Sequence, residues 1–110
     1  MSADNGVYIL RTVRNRKEEP KGCWVQTPQH YVWRIAHTQA IDNFEWYQEN
    51  EPYNLGAYMK EIWGTSPVYM SQEAAVLAAN KLLNELLRGG LTVEYGVEHI
   101  QTGLKMYGDM

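Results

Sequence analysis

Residues 71–88 read SQEAAVLAANKLLNELLR, and this stretch predicts its own structure more clearly than any other part of the chain. Ser71 is a favourable N-cap residue, and Glu73 suits the positive end of the helix dipole. Gly89 and Gly90 follow directly, as residues that end helices often do. Apolar side chains share one stripe at helical spacing, namely Ala75, Ala78, Ala79, Leu82, Leu83 and Leu86. The pattern predicts a helix over residues 71–88 whose alanines let it approach a sheet closely.

Two stretches near the N-terminus are typical of an antiparallel hairpin. Residues 6–14, GVYILRTVR, are rich in β-branched and aromatic side chains. Residues 31–37, YVWRIAH, alternate with the period of two that a strand requires. Between them, residues 15–22 contain no apolar residue and include Pro20 and Gly22, which predicts an exposed charged loop.

The remaining segments complete the predicted order of elements. Residues 40–48 space their apolar side chains about three and four apart, which favours a short helix. Residues 55–63 are assigned to a third strand that ends at Gly64. Residues 91–101 alternate like a half-buried fourth strand, and the tail over residues 102–110 is expected to fray.

These elements predict a small single α+β domain over residues 1–110. Its architecture would be an antiparallel sheet of about four strands with one long helix packed on one face. The chain is 45% hydrophobic and 21% charged, which is typical of a folded globular protein. A core of this size leaves little room for elaborate cofactor chemistry, so no cofactor is predicted.

Charge and cysteine content narrow the functional classes. The formal net charge is -3, so nothing marks the surface for polyanions and nucleic acid is not expected as a partner. Cys23 is the single cysteine and cannot form an internal disulfide, which fits a reducing compartment. Residues 1–6 lack the features of a secretory signal, and no window approaches about 18 consecutive apolar residues. We therefore expect a cytoplasmic protein with no membrane partner.

Most of the large aromatic rings carry a polar atom, since there are 4 Trp and 8 Tyr but only 1 Phe. Such rings are favoured at interfaces and in ligand pockets, where one end is buried and the other meets a partner. Rings of this kind also build the cores of small domains. Both interpretations stay open for Trp24, Trp33, Trp46, Tyr47, Tyr53 and Trp63.

The densest run of hydrogen-bonding side chains lies at residues 37–43, where the second predicted strand ends. Strand ends are common places for binding sites. A cation, amides and a stacking ring could hold a planar or phosphorylated ligand there, the candidate residues being Arg34, His37, Gln39, Asp42, Asn43 and Trp46. The alternative is a turn and a helix cap, in which Thr38 or Asp42 accepts hydrogen bonds from backbone N–H groups.

Catalytic and metal-binding motifs are not recognisable in the sequence. The 3 histidines lack the spacing of metal ligands, and the glycines form no phosphate-binding loop. Cys23 carries no local signature of a nucleophile. The remaining catalytic possibility is an acid–base pair of His37 and Asp42.

The charges are unevenly distributed along the chain. Residues 42–51 contain no Lys or Arg and carry the acidic residues Asp42, Glu45, Glu49 and Glu51. With Trp46 and Tyr47 beside them, these carboxylates could occupy a basic groove on another protein, or they could simply form a solvated face. Basic residues concentrate around the first loop instead, at Arg11, Arg14, Arg16, Lys17 and Lys21. Such polarity suits either head-to-tail self-association, and so a homo-oligomer, or a partner of mixed charge.

Three stretches carry a resemblance, SADNGVYIL at residues 2–10, RIAHTQAIDN at residues 34–43 and VEYGV at residues 93–97. Together they resemble a group of small, uncharacterised proteins encoded by tailed bacteriophages. The likeness extends to PVY at residues 67–69. It departs at residues 15–22, which form a charged insertion where the resemblance implies a short turn. It implies phage origin without a particular chemistry, and phage accessory proteins of this size often inhibit host enzymes or defence systems.

Three functional hypotheses follow. The first is a non-enzymatic phage accessory protein that binds and inhibits a host or defence protein in the cytoplasm of the infected bacterium. The second is a small-ligand protein that sequesters a nucleotide signal. The third is a small enzyme that uses His37 and Asp42 for acid–base catalysis.

Overall fold

The chain folds into a mixed sheet with helices on both of its faces. The computed structural model describes residues 5–14, 30–39 and 42–102. Its strands are β1 (Asn5–Arg14), β2 (His30–Gln39) and β3 (Val97–Gln101). Its helices are α1 (Asp42–Asn50), α2 (Pro52–Trp63) and α3 (Gln72–Arg88).

Strand β1 lies at the centre of the sheet, between β2 and β3. It pairs antiparallel with β2, with Ile9 opposite Ile35, and parallel with β3, with Val7 opposite Val97. Residues 5–10 are all buried, with no alternation between inside and outside. A strand covered on both faces needs this continuous burial, which explains the apolar character of VYIL in the sequence.

The two faces of β1 contribute to two separate clusters. Because side chains alternate along a strand, Tyr8 and Leu10 point to the face opposite Val7 and Ile9. Helices α1 and α2 cover the first face, where the buried cluster comprises Tyr8, Leu10, Phe44, Leu55, Met59 and Trp63. Helix α3 covers the second face, where the buried cluster comprises Val7, Ile9, Ala75 and Ala79. The alanines thus place α3 directly against the sheet, as the sequence predicts.

Both ends of α3 are formed as predicted. The Ser71 hydroxyl oxygen accepts a hydrogen bond from the Ala74 N–H at 3.1 Å. At the other end, the N–H of Leu91 donates to the Leu86 carbonyl and the N–H of Gly90 donates to the Leu87 carbonyl, both at 3.1 Å. Gly90 has a φ of 85°, so this ending is a Schellman motif in which glycine occupies the left-handed position.

The predicted β1–β2 hairpin and the short helix after it are also confirmed in type. Helix α1 ends two residues later than the predicted residues 40–48. The expected charged loop at residues 15–22 lies outside the described residues. The tail at residues 102–110 is predicted to fray, but Thr102 is buried and its N–H donates to the Arg11 carbonyl at 3.2 Å. Residues 103–110 lie outside the described residues.

The prediction of a third strand at residues 55–63 is wrong, because this segment is most of helix α2. Leu55, Met59 and Trp63 are all fully buried, and they recur at the spacing of four that places side chains on one helix face. Pro52 occupies the first turn, where a missing N–H costs the helix nothing. A strand would have buried alternate residues, yet Ala57 is exposed.

The predicted sheet of about four antiparallel strands with one helix on one face is therefore corrected: the described residues form three strands in a mixed sheet and three helices. Only residues 97–101 of the predicted fourth strand are β-structure, and they pair parallel to β1. Residues 91–96 form the connection from α3 to β3, and the Tyr95 N–H donates to the Asn5 carbonyl at the start of β1. The α+β class itself is confirmed.

None of the helices in the described residues has the length and apolar character that crossing a bilayer demands.

Candidate functional site

The predicted ligand residues Arg34 and His37 lie on opposite faces of the sheet. Arg34 is opposite Leu10, on the face covered by α1 and α2, whereas His37 is opposite Val7, on the face covered by α3. Arg34 is only 5% exposed, and its Nη1 donates to the Thr12 hydroxyl oxygen at 3.3 Å. The described side chains therefore do not bring Arg34 and His37 into a single pocket.

His37 is half-buried, and its Nε2 has no hydrogen-bond partner within the described part of the chain. Gln39 is the last residue of β2, and Asp42 and Asn43 begin α1, so these predicted site residues follow His37 along the chain. Their predicted ligand contacts, and the acid–base pairing of His37 with Asp42, stay predictions.

An aromatic ladder connects the surface of α1 to α2. The rings of Trp46 and Tyr47 meet edge to face with centroids 5.3 Å apart, and Tyr47 packs against Tyr58 at 4.9 Å. Below them, buried Phe44 meets Trp63 edge to face at 6.4 Å. Trp46 remains 50% exposed at the outer end of this ladder. The contacts place a large aromatic ring at the surface of α1.

Carboxylates lie beside Trp46 on the outer surface of α1. Glu45 and Glu49 are both exposed and four residues apart, so they share one face of the helix. No Lys or Arg occurs between residues 35 and 59, and α1 has no basic residue in its last turn. Glu49 is the next-to-last residue of α1, so it lies near the negative end of the helix dipole, where a carboxylate is unfavourable.

The first turn of α2 also carries an exposed ring. Tyr53 follows Pro52 there and is 79% exposed. The Glu51 carboxylate, between the two helices, accepts a hydrogen bond from the Asn54 side-chain amide at 3.1 Å. We call Glu45, Trp46, Glu49 and Tyr53 the acidic-aromatic surface.

The aromatic residues singled out in the sequence thus divide between core and surface. Trp63 is fully buried, and its Nε1 donates to the Tyr8 carbonyl at 3.2 Å. Tyr47 and Trp33 are half-buried and pack against the two core clusters. Trp46 and Tyr53 are the members left at the surface of the described region, whereas Trp24 lies outside the described residues.

Among the basic residues around the first loop, the structure describes the side chain of Arg11. Its guanidinium carbon lies 4.1 Å from the centroid of the Tyr31 ring, a cation–π contact between neighbouring strands. Arg14 is the last residue of β1. Arg16, Lys17 and Lys21 lie outside the described residues. The acidic surface and Arg11 therefore belong to different elements of the fold.

The start of β1 and the segment before β3 meet at a structural junction. The Asn5 side chain donates to the Thr92 carbonyl at 2.8 Å and accepts from the Glu94 N–H at 2.9 Å. The Val7 N–H donates to the Gly96 carbonyl at 2.7 Å. These bonds join residues 5–7 to residues 92–96, so two of the three motifs hold the fold together. Tyr69 of the PVY segment likewise exchanges both backbone hydrogen bonds with Trp33.

Among the described residues, no group of three or more His, Cys, Asp or Glu side chains converges as metal ligands would. Comparisons with family models, curated proteins and solved structures yield no match to this chain. The chemistry of the site therefore depends on its own residues, which place an exposed aromatic ring beside carboxylates.

Proposed function

We propose that this protein is a non-enzymatic binding protein whose acidic-aromatic surface occupies a basic groove on another protein and blocks it. In line with the resemblance to phage proteins, the partner would be a bacterial host or defence protein in the infected cell. The observation that supports the proposal best is Trp46, half-exposed and braced by Tyr47, next to carboxylates without a nearby cation in the sequence.

The aromatic part of this surface has the properties of a binding anchor. Tryptophan and tyrosine dominate the few residues that supply most of the binding energy in protein interfaces. Trp46 is already oriented by Tyr47, and Tyr47 by Tyr58, so little side-chain freedom remains to be lost on binding. Such an arrangement favours a firm contact with a preformed pocket on the partner.

The acidic part specifies the charge of the partner. Like charges four apart on a helix destabilise it by about 0.5 kcal/mol or less, and a basic partner would relieve that repulsion between Glu45 and Glu49. Residues that weaken their own element are more often explained by function than by folding. Complementary charge would also speed the encounter with the partner and orient it.

The two other hypotheses gain no support from the geometry. The predicted pocket for a nucleotide signal requires Arg34 and His37 to contact one ligand, but these side chains lie on opposite faces of the sheet. For the enzyme hypothesis, the described side chains supply no partner for His37 Nε2.

The proposal is tested by capturing partners from lysate of the bacterial host and then measuring affinity for the captured protein. Glu49→Lys and Trp46→Ala each change the acidic-aromatic surface at an exposed position. Glu85→Lys is the matched control, since Glu85 is an exposed helical glutamate on α3 and the charge change is identical.

We expect Trp46→Ala to weaken binding by about thirtyfold, the effect of losing an interface anchor. Glu49→Lys should slow association and reduce its dependence on salt, whereas Glu85→Lys should bind like the unmodified protein. Equal binding by all three variants would refute the proposed surface, and a failure to inhibit the captured protein would refute the inhibitory role.

A further inference from the structure

The outer face of α3 carries an exposed row of side chains that the predicted inner stripe does not include. Leu77, Asn80, Asn84 and Leu87 follow one another at spacings of three, four and three. All four are exposed, Leu77 at 73% and Leu87 at 50%. Alternation of three and four is the spacing of a helix seam that packs against a second helix. We call these four residues the outer row.

The outer row reads the same in both directions, as Leu, Asn, Asn, Leu. Two copies of α3 packed antiparallel about a two-fold axis would therefore bring Leu77 of each opposite Leu87 of the other, and Asn80 opposite Asn84. A closed two-fold dimer requires this kind of self-complementary surface. The paired asparagine amides can donate and accept hydrogen bonds across the axis and so fix the register.

The two ends of α3 carry different apolar features. An open groove of about 740 Å³ lies beside the first turns, where the apolar side chains of Trp33, Met70, Val76 and Leu77 line it together with Glu73. Beyond the last turn, the Schellman motif holds Leu91, which is 50% exposed. An antiparallel arrangement directs Leu87 and Leu91 of one copy toward the groove of the other.

The charges at the two ends of α3 are complementary. Glu73 is in the first turn and Arg88 in the last turn, so antiparallel packing brings acidic and basic ends together twice. Antiparallel helix dipoles add to this attraction. A parallel arrangement would instead place like ends side by side.

We propose that a second copy of this chain docks on α3, with the outer rows packed antiparallel about a two-fold axis and Leu87 and Leu91 of each copy in the groove of the other. The proposal is independent of the proposed function. One helix pair with its groove is a small interface, so the dimer should form in the micromolar range.

Sedimentation equilibrium from about 1 µM to 500 µM is the first measurement, because that range spans the expected affinity. The unmodified protein should pass from monomer to dimer within it. Leu77→Lys and Leu87→Glu should each weaken association by at least about tenfold, since each places a charge in the seam. Val68→Lys, which makes the same kind of change at an exposed position off α3, should dimerise normally. Circular dichroism checks that every variant keeps its helices.

Mixing the two variants tests the orientation directly. In the antiparallel dimer, Lys at position 77 of one chain faces Glu at position 87 of the other, while the remaining leucines pair as before. The mixture should therefore form a heterodimer that is tighter than the homodimer of either variant. An unmodified protein that stays monomeric throughout would overturn the proposal, and a mixture that associates no more tightly than the single variants would overturn the antiparallel arrangement.

Discussion

At the scale of single residues, Trp46 and Trp63 show one residue type in two environments, the surface and the core. Trp63 is fully buried between Phe44 and the carbonyl of Tyr8, whereas Trp46 is half-exposed. Trp63→Phe keeps an aromatic ring but leaves the Tyr8 carbonyl without the indole donor, so we expect a loss of about 1–3 kcal/mol in the free energy of unfolding. Urea denaturation measures this loss.

The matched control for Trp63→Phe is Trp46→Phe, the same change at the surface. It should alter the free energy of unfolding by about 0.5 kcal/mol or less, as surface substitutions usually do. If the two variants unfolded at the same urea concentration, the structural role assigned to Trp63 would be wrong.

Asn5 shows what residue-level prediction cannot reach. It lies just before the predicted strand at residues 6–14, yet it is the first residue of β1 and is 6% exposed. Its amide is buried because it hydrogen-bonds to Thr92 and Glu94, almost the whole chain away. A local pattern contains no information about such distant partners.

At the scale of elements, α3 was predictable because its cap, its stripe and its ending all agree. The Ser71 hydroxyl satisfies the Ala74 N–H, and Ser71→Ala should therefore lower the free energy of unfolding by about 1 kcal/mol. Ser71→Asp should retain the stability, since aspartate accepts the same hydrogen bond. Thermal unfolding of both variants checks this, and equal losses for Ala and Asp would show that the cap is not the cause.

Other elements were mistaken or incomplete for identifiable reasons. Residues 55–63 bury Leu55, Met59 and Trp63 at a spacing of four, and the strand prediction overlooked this helical period. The direction of β3 could not be predicted, because alternation is the same in parallel and antiparallel strands. The opposite faces of Arg34 and His37 were predictable, since three residues along a strand always reverse the face.

At the scale of the whole molecule, the sheet separates two proposed surfaces. Helices α1 and α2 cover one face of β1 and α3 covers the other, so the acidic-aromatic surface and the outer row belong to opposite layers. A dimer built through α3 would leave both acidic-aromatic surfaces open and directed away from its interface. Self-association and partner binding should then be independent properties of the same small fold.

Independence of the two surfaces predicts how paired variants behave. Glu49→Lys should weaken partner binding and leave the monomer–dimer equilibrium unchanged, and Leu77→Lys should do the reverse. Because effects at distant sites without shared partners usually add, the double variant should show both losses at their single-variant sizes. Calorimetric titration of the captured partner and sedimentation equilibrium measure the two properties separately. A loss of partner affinity in Leu77→Lys as large as in Glu49→Lys would instead mean that the dimer itself forms the binding surface.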